Sequence, residues 1–358
     1  MGVTCRQQGA FAGDLFQIQL EELDRIRAAD LQSFGIRQRS FVEPVRRILH
    51  SPNQKSAMAR GVTYIDGRGR EFFQPADIVF LASWTFNNTR LLLLSGMGAP
   101  YDPQTRKGTL GRNLTHQVHF QGATALFDKP LNRFMGSGAS GISVSDFDGD
   151  VFDHSKLPFL RGGNLYALSA GARPIASFGV VPQSIKSNWG SEWKKAAIEY
   201  YDRNGSITFS AEHLAYRSNY MDLDPMYKDH LGDPLLRLTL DWHDNERHMA
   251  EFGTAKAVEL ALAMGATEVI PFPGLRHYDA TRYQSTHVQG GTIMGSSPEQ
   301  SVVNRYGQHW QLSNLFVLGA SCFPQNASAN PTPTVLAVTY HTADAVVDRY
   351  LKKPGSLA

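Results

Sequence analysis

The sequence predicts an α/β protein with a β-rich, mostly antiparallel middle and flanking helices. Three observations predict this. The runs at 77–82 (DIVFLA) and 315–318 (LFVL) are short and nearly continuously apolar, as in strands buried on both faces. The stretch 120–242 is dense in strand-like segments and turns. Two longer helical patterns, 244–264 and 331–351, are bounded by cap and stop residues. With 358 residues, 42% of them apolar, there is material for a sizeable core, and 32 Gly and 18 Pro suit a loop-rich enzyme. A formal net charge of +2 without a basic run provides no footprint for nucleic acid or an anionic membrane surface. The two cysteines, Cys5 and Cys322, cannot build a disulfide framework or ligate a zinc alone. The longest apolar runs, 78–84 and 91–94, fall short of the ~20 residues of a spanning helix, so no transmembrane segment is expected. No cationic segment leads into an apolar run at the start, so no secretory signal is expected in the chain as it stands.

Taken in order, residues 1–40 hold one helical pattern at 15–32 (Leu15, Ile18, Leu20, Leu23, Ile26, Leu31), with Gly35 as its stop and no chemistry attached. Strands are expected at 41–49 and 59–65, the second running into an Asp66-Gly67 hairpin turn. After the buried strand 77–82, Asn87 or Asn88 is the expected N-cap of a helix at 89–94, ended by Gly96. A strand follows at 235–240. Asp244 is the expected cap of a helix reaching about Met264, with Gly265 at its end, and 266–270 leads into a Pro-rich loop. Strand 315–318 enters a polar loop, 319–329. Asn330 is then the expected N-cap and Pro331 the first helical residue of a helix running to about Leu351, where Arg349, Lys352 and Lys353 suit a C-terminus.

Several motifs are weaker than they look. Gly136-Ser137-Gly138-Ala139-Ser140-Gly141 fits G-x-G-x-x-G, but an alternating strand-like run follows where a dinucleotide site needs a helix, so a glycine loop near a substrate entrance is the better reading. Asp146, Asp148 and Asp150 alternate as in a calcium loop, yet the glycine sits at position four and Leu157 at position twelve, which reads as a solvated turn. The twelve histidines show no helical His-x-x-x-His pair with a nearby carboxylate, so no metal site is expected.

His287 differs because of its neighbours. Residues 286–295 read THVQGGTIMG. Pro298, the 301–304 SVVN, the 307–310 GQHW, the 314–317 NLFV, Gly319-Ala320-Ser321 and Asn330-Pro331-Thr332 follow. This series resembles the C-terminal signature of the glucose–methanol–choline (GMC) flavin oxidoreductases, and among them the flavoprotein subunits of gluconate, fructose and sorbitol-type dehydrogenases. Earlier segments are similar to the same family: 45–48 (VRRI), 59–66 (ARGVTYID), 76–82 with 91–96, and 111–114 (GRNL). The resemblance covers about 41–358. The family's opening strand and true G-x-G-x-x-G have no counterpart in residues 1–40, so a truncated member, a piece of a split gene or a displaced start is expected, with 1–40 as a leader foreign to the family.

The resemblance implies a partial, Rossmann-like FAD-binding domain (remnant at 41–120) and a substrate domain at 121–280. The segment 281–358 would carry the catalytic motif and the return to the FAD-binding domain. It implies FAD as cofactor and oxidation of a CH–OH group of a sugar, polyol or sugar acid. A cytochrome c or a small subunit would be the electron-accepting partner. It places His287 and Asn330 as the catalytic pair, and Val45, Ala82, Ser83, Asn88, Gly319, Ala320, Asn330, Pro331 and Thr332 against the cofactor. An imidazole can take a hydroxyl proton near neutral pH, whereas an amide can only hold the oxygen, so His287 would be the sole base. The alternative base His341 lies about three turns into the last helix. Two other functions stay open: an inactive remnant acting only as a binding module, and an oxygen-using alcohol oxidase.

Overall fold

The computed structural model describes residues 2–3, 45–51, 57–132, 141–149, 151–168, 179–282 and 286–358. The helix expected at 15–32, Asp150 and the glycine loop up to Ser140 lie outside the described residues.

Two sheet systems organise the chain. The first is a three-stranded parallel sheet in the order β1 (Gly2–Val3), β5 (Val79–Leu81), β15 (Leu315–Val317). Both apolar runs of the sequence are here, aligned Leu315 to Val79 and Val317 to Leu81. Every side chain of β15 is buried. Beside it stands an antiparallel sheet of β2 (Val45–His50), β3 (Ala59–Ile65) and β4 (Glu71–Pro75). The Asp66 hairpin forms as expected, its carboxylate accepting the Arg68 and Arg70 N–H groups. Helix α1 (Thr85–Leu94) completes this half, and Ile48, Val62, Val79, Leu81, Leu92 and Val317 share one core. Asn314 cements it, with its amide bonded to Ala59 N, Ala59 O and Asp77 O at 2.7–2.8 Å.

The second system is a five-stranded antiparallel sheet. Its strands are β7 (Val118–Leu126), β8 (Gly141–Val144), β9 (Gly163–Leu168), β10 (Asn204–Ala211) and β13 (Glu268–Pro271), in the order β13-β7-β10-β9-β8. A short helix α2 (Ser191–Glu199) precedes β10, and the long helix α3 (Asp244–Ala263) covers one face. Met249, Ala250, Ala257 and Ala261 of α3 are fully buried with Phe209 and Ile207 of β10. The small residues of α3 let it lie close to the sheet. Two ribbons remain: β6 (Thr115–His116) with β14 (Val288–Gln289), and the hairpin β11 (Tyr220–Lys228) with β12 (Pro234–Thr239). Helix α4 (Thr332–Ala345) runs on through a π turn to Tyr350. No helix among the described residues is long and apolar enough to cross a membrane.

Three expected caps move. Helix α1 starts at Thr85, so Asn87 and Asn88 lie inside its first turn, and Trp84 holds the cap position at φ 74°. Asn88 faces inward because its amide has partners there. Helix α3 is capped at His243, whose N–H is taken by the Glu246 carboxylate at 3.1 Å, so Asp244 is the first helical residue. Helix α4 has Pro331 at its cap position and no side-chain cap bond, so Asn330 sits one residue before the cap and does not cap the helix.

Candidate active site

The loops leaving β5 and β15 meet at the carboxyl ends of the parallel strands, where ligands sit in open α/β sheets. Asn88, fully buried, joins them. Its Oδ1 accepts Ser83 N–H and Oγ–H at 2.8 and 2.9 Å, and its Nδ2 donates to Leu318 O and Ser321 Oγ, both at 2.9 Å. Asn88 therefore spends its amide on the protein and fixes both loops. Val45 and Ser83 line one cleft of about 190 Å³ together with Arg46 and Arg90. Ala82 is half-buried beside Ser83. The far wall of the cleft is the β11–β12 turn, where Asp233 pairs with Arg47 and Arg46 and Asp229 with Arg90. The Arg47 and Arg46 guanidiniums hold the Asp233 carboxyl well below the usual range. Gly319 has φ +98°, and a Cβ built on it would meet nothing within 4 Å, so the backbone after β15 borders open space. Ala320 opens a 3-10 turn to Cys322. Thr332 and Pro333 begin α4 with no acidic residue in its first turn and no cap, which leaves N–H donors of that turn available to an anion or a carbonyl.

His287 lies just before β14. The segment after it is stitched to the 3-10 turn by Gly290 N to Ala320 O, Thr292 N to Ser321 O and Met294 N to Cys322 O. Gly290, at φ +91°, passes so close to Asn113 that a Cβ would lie 1.9 Å from its carbonyl oxygen. His287 itself has φ 60°, a left-handed conformation costing a non-glycine residue of order 1–3 kcal/mol. Its carbonyl is held by Asn326 Nδ2 at 3.2 Å. Its ring meets a second histidine that the sequence reading did not single out. His119 Nε2 lies 2.5 Å from His287 Nδ1, and His119 Nδ1 lies 3.2 Å from Ser210 Oγ.

A bulge puts His119 there. Phe209 pairs with Gln121, but Ala211 pairs with Val118, so two steps along β10 match three along β7. The extra residue breaks alternation and re-aims side chains. Strand β13 covers β7 only from Ala123 to Leu126, and at Phe272 N to Gly122 O the chain departs into the loop 273–279. Beneath that loop is a cavity of about 460 Å³, lined by His116, Gln117, His119, Gln121 and Trp242, with Arg276 and Tyr278 on the loop side. Burial lowers the His119 pKa to about 3, helped by His287 and His116, and lowers His116 to about 4. Burial also lowers that of His287. All three rings are therefore neutral at pH 7.

The structure thus brings His287 to the cavity region through His119 and leaves Asn330 exposed at the approach to α4. Among the described residues, no hydrogen bond links Asn330 to His287. The loop before α4 is anchored next to His287 by Asn326, by Gln117 Nε2 to Ala327 O (3.0 Å) and Ser328 O, and by Ser328 Oγ to Asp148 Oδ1. His341 is exposed and stacks on Tyr306. The signal for His119 was weak: one histidine in a strand whose register depends on a bulge.

Solved oxidases share this fold. Pyridoxine 4-oxidase from Mesorbium loti superposes with a TM-score of 0.54 at 17% identity, covering 88% of this chain and 59% of that one. Formate oxidase gives 0.56 at 15% identity, covering 87% and 62%. Residues 215–339 match the family model described as GMC oxidoreductase. The chain is 46% identical over 304 residues to the gluconate 2-dehydrogenase flavoprotein of Pantoea cypripedii, covering 84% of this chain and 49% of that protein. It is 31% identical over 260 residues to the fructose dehydrogenase large subunit of Gluconobacter japonicus (72% and 44%), and 27% identical over 316 residues to the 2-methyl-1,2-propanediol dehydrogenase of Mycolicibacterium austroafricanum (84% and 53%). The chain belongs to the GMC oxidoreductase family and spans about half the length of the curated relatives it matches.

Proposed function

We propose that this chain carries the substrate site and the flavin-facing loops of an FAD-dependent dehydrogenase that oxidises a CH–OH group of a sugar, polyol or sugar acid. The observation that carries the reading is the neutral His287–His119 pair at the edge of a polar cavity, with His287 stitched to the loop at the carboxyl end of β15. The 46% identity to a gluconate 2-dehydrogenase flavoprotein supports it. Bound FAD would supply the hydride acceptor. The residues that would hold it are Val45, Ala82 and Ser83 by the cleft, Gly319 and Ala320 after β15, and Pro331 and Thr332 at the uncapped start of α4. Asn88 would act through the loops it ties together.

His287 is the group that removes the hydroxyl proton. With a proton on its Nδ1 donated to His119 Nε2, and the His119 Nδ1 proton donated to Ser210 Oγ, His287 Nε2 keeps its lone pair for the substrate. Its lowered pKa keeps it in this neutral form at pH 7. Asn330, exposed and without a hydrogen-bond partner among the described residues, would hold the substrate oxygen. Electrons would leave to a carrier such as a cytochrome c or a small subunit.

The test is anaerobic stopped-flow reduction of the FAD-loaded protein by gluconate. His287→Ala should slow reduction by about 10²–10⁴-fold with a smaller effect on substrate binding. Asn330→Ala should slow it less. Near-normal reduction in His287→Ala would overturn the assignment.

A further inference from the structure

His287 stands on a backbone that has to be held in place. Its φ of 60° is a left-handed conformation, which a non-glycine residue keeps only where its surroundings fix it. On the far side of the residue, His287 O accepts Asn326 Nδ2–H at 3.2 Å and Gln117 N–H at 3.4 Å. On the near side the tie is a side chain. His116 pairs with Val288 in the β6–β14 ribbon, and its ring reaches back past His287 to place Nε2 3.0 Å from Thr286 O. The peptide groups flanking His287 are therefore both fixed, the preceding one by an imidazole.

The other ring nitrogen of His116 faces the loop 273–279, where Nδ1 lies 3.1 Å from Tyr278 Oη. A carbonyl oxygen only accepts, so Nε2 carries the one proton of the neutral ring and Nδ1 accepts from the Tyr278 hydroxyl. Burial keeps the ring neutral, with its pKa lowered to about 4. Tyr278 is itself pinned. Its N–H donates to Asp241 Oδ1 at 2.8 Å, an oxygen that also accepts Trp242 N–H at 2.8 Å, and Asp241 Oδ2 pairs with His277 Nδ1 at 2.7 Å. Arg247 Nε holds the same loop through Arg276 O at 3.2 Å. Trp242 lies nearly parallel to the His116 ring, centroids 6.3 Å apart. A continuous run of hydrogen bonds thus leads from Asp241 through Tyr278 and His116 to the backbone at His287. It starts on the loop that roofs the cavity.

We propose that His116 is a positioning residue that couples the loop 273–279 to His287: it locks the left-handed turn that aims the His287 ring, and through Tyr278 it makes that aim depend on the loop being seated over the cavity. A loop lifted from the cavity withdraws the Tyr278 hydroxyl from Nδ1, lets the His116 ring turn, and loosens the Thr286 carbonyl. The base is then aimed only while the cavity is roofed. This inference rests on the role of His287 proposed above. A misplacement of about 1 Å can cost about 10²-fold in rate, so such a tie matters without touching the substrate.

The experiment reads the His287 ring by NMR in the full chain with isotope-labelled histidine, its signal assigned by its loss in His287→Ala. Tyr278→Phe removes one hydroxyl and keeps the ring that packs on the sheet core, so this variant tests the tie in a folded protein. It should shift or broaden the His287 signal. His116→Phe should shift it further, and His116→Gln, whose amide N–H stands in for Nε2–H, should return it toward wild type. The double variant Tyr278→Phe/His116→Phe should match His116→Phe, because the hydroxyl acts only through His116. In FAD-loaded protein, His116→Phe should slow anaerobic reduction by gluconate about 10-fold and Tyr278→Phe less, with gluconate binding changed less than about 2-fold. A His287 signal indifferent to both Tyr278→Phe and His116→Phe would overturn the proposal. So would a His116→Gln protein as perturbed as His116→Phe, since ring bulk alone would then matter. Normal reduction in His116→Phe beside slow reduction in His287→Ala would overturn it while leaving the dehydrogenase reading standing. A coupled His287 signal beside near-normal reduction in His287→Ala would support the tie and count against the base assignment instead.

Discussion

Replacing Asn88 by Ala separates a cofactor contact from a structural tie. The substitution removes four hydrogen bonds of 2.8–2.9 Å from a fully buried side chain. Each is worth about 0.5–1.5 kcal/mol net, and a partner left buried and unmatched costs about 1–3 kcal/mol more. The Ser83 and Ser321 hydroxyls can rotate toward other acceptors. The Ser83 N–H and the Leu318 carbonyl cannot, so the sum comes to about 4 kcal/mol, a large share of the ~5–15 kcal/mol that stabilises a typical domain. Urea unfolding at pH 8 followed by tryptophan fluorescence measures it, with Trp84 as the turn's own reporter. FAD affinity should fall along with stability, because the Ser83 and Gly319 loops lose their common anchor. Asn88→Asp should keep the two Ser83 bonds and lose the bond to Leu318 O, and its penalty should grow with pH as the carboxylate ionises beside that carbonyl. An Asn88→Ala protein with wild-type urea resistance and lost FAD binding would refute this reasoning and make Asn88 a direct cofactor contact.

The buried histidines make the protein acid-sensitive. Burial lowers the pKa of His213 to about 3 and those of His116 and His309 to about 4, so between those values and about 6.5 the unfolded chain binds more protons. Stability should therefore fall as pH drops below about 6.5, by up to about 1.4 kcal/mol per pH unit for each such histidine, and stay flat above it. Urea midpoints that do not change between pH 7 and pH 5 would contradict the burial. Gly253→Ala should destabilise despite its better helix propensity, because the new Cβ would lie 2.0 Å from the Phe209 ring inside the core. The gain of about 1 kcal/mol is outweighed by overpacking and ring displacement of about 2–3 kcal/mol. Phe209→Leu in the same chain should recover part of the loss, which a double-mutant cycle of thermal unfolding would show.

Much of the parallel half was legible locally. The run 77–82 and the run 315–318 announced β5 and β15 by being apolar on both faces, and Asp66-Gly67 announced the hairpin between β3 and β4. The caps were less legible, because a cap depends on which side chain finds a partner. Asn88 has cap chemistry, but its amide is drawn inward by Ser83, Leu318 and Ser321, the last two more than 200 residues away. Glu246 reaches back to His243 N–H and moves the start of α3 by one residue.

The sequence by itself determined two of the three strands of the parallel sheet, the long helices and the family resemblance, because these are written in short-range patterns and a contiguous motif. Only the tertiary structure decided that His119 faces His287 across 168 residues of chain, and that Gln117 and Gln121 reach the same cavity. A strand pattern predicts side-chain direction only while its register holds. The bulge opposite Phe209–Ala211 breaks the register of β7, and it forms only once β10 has paired with it.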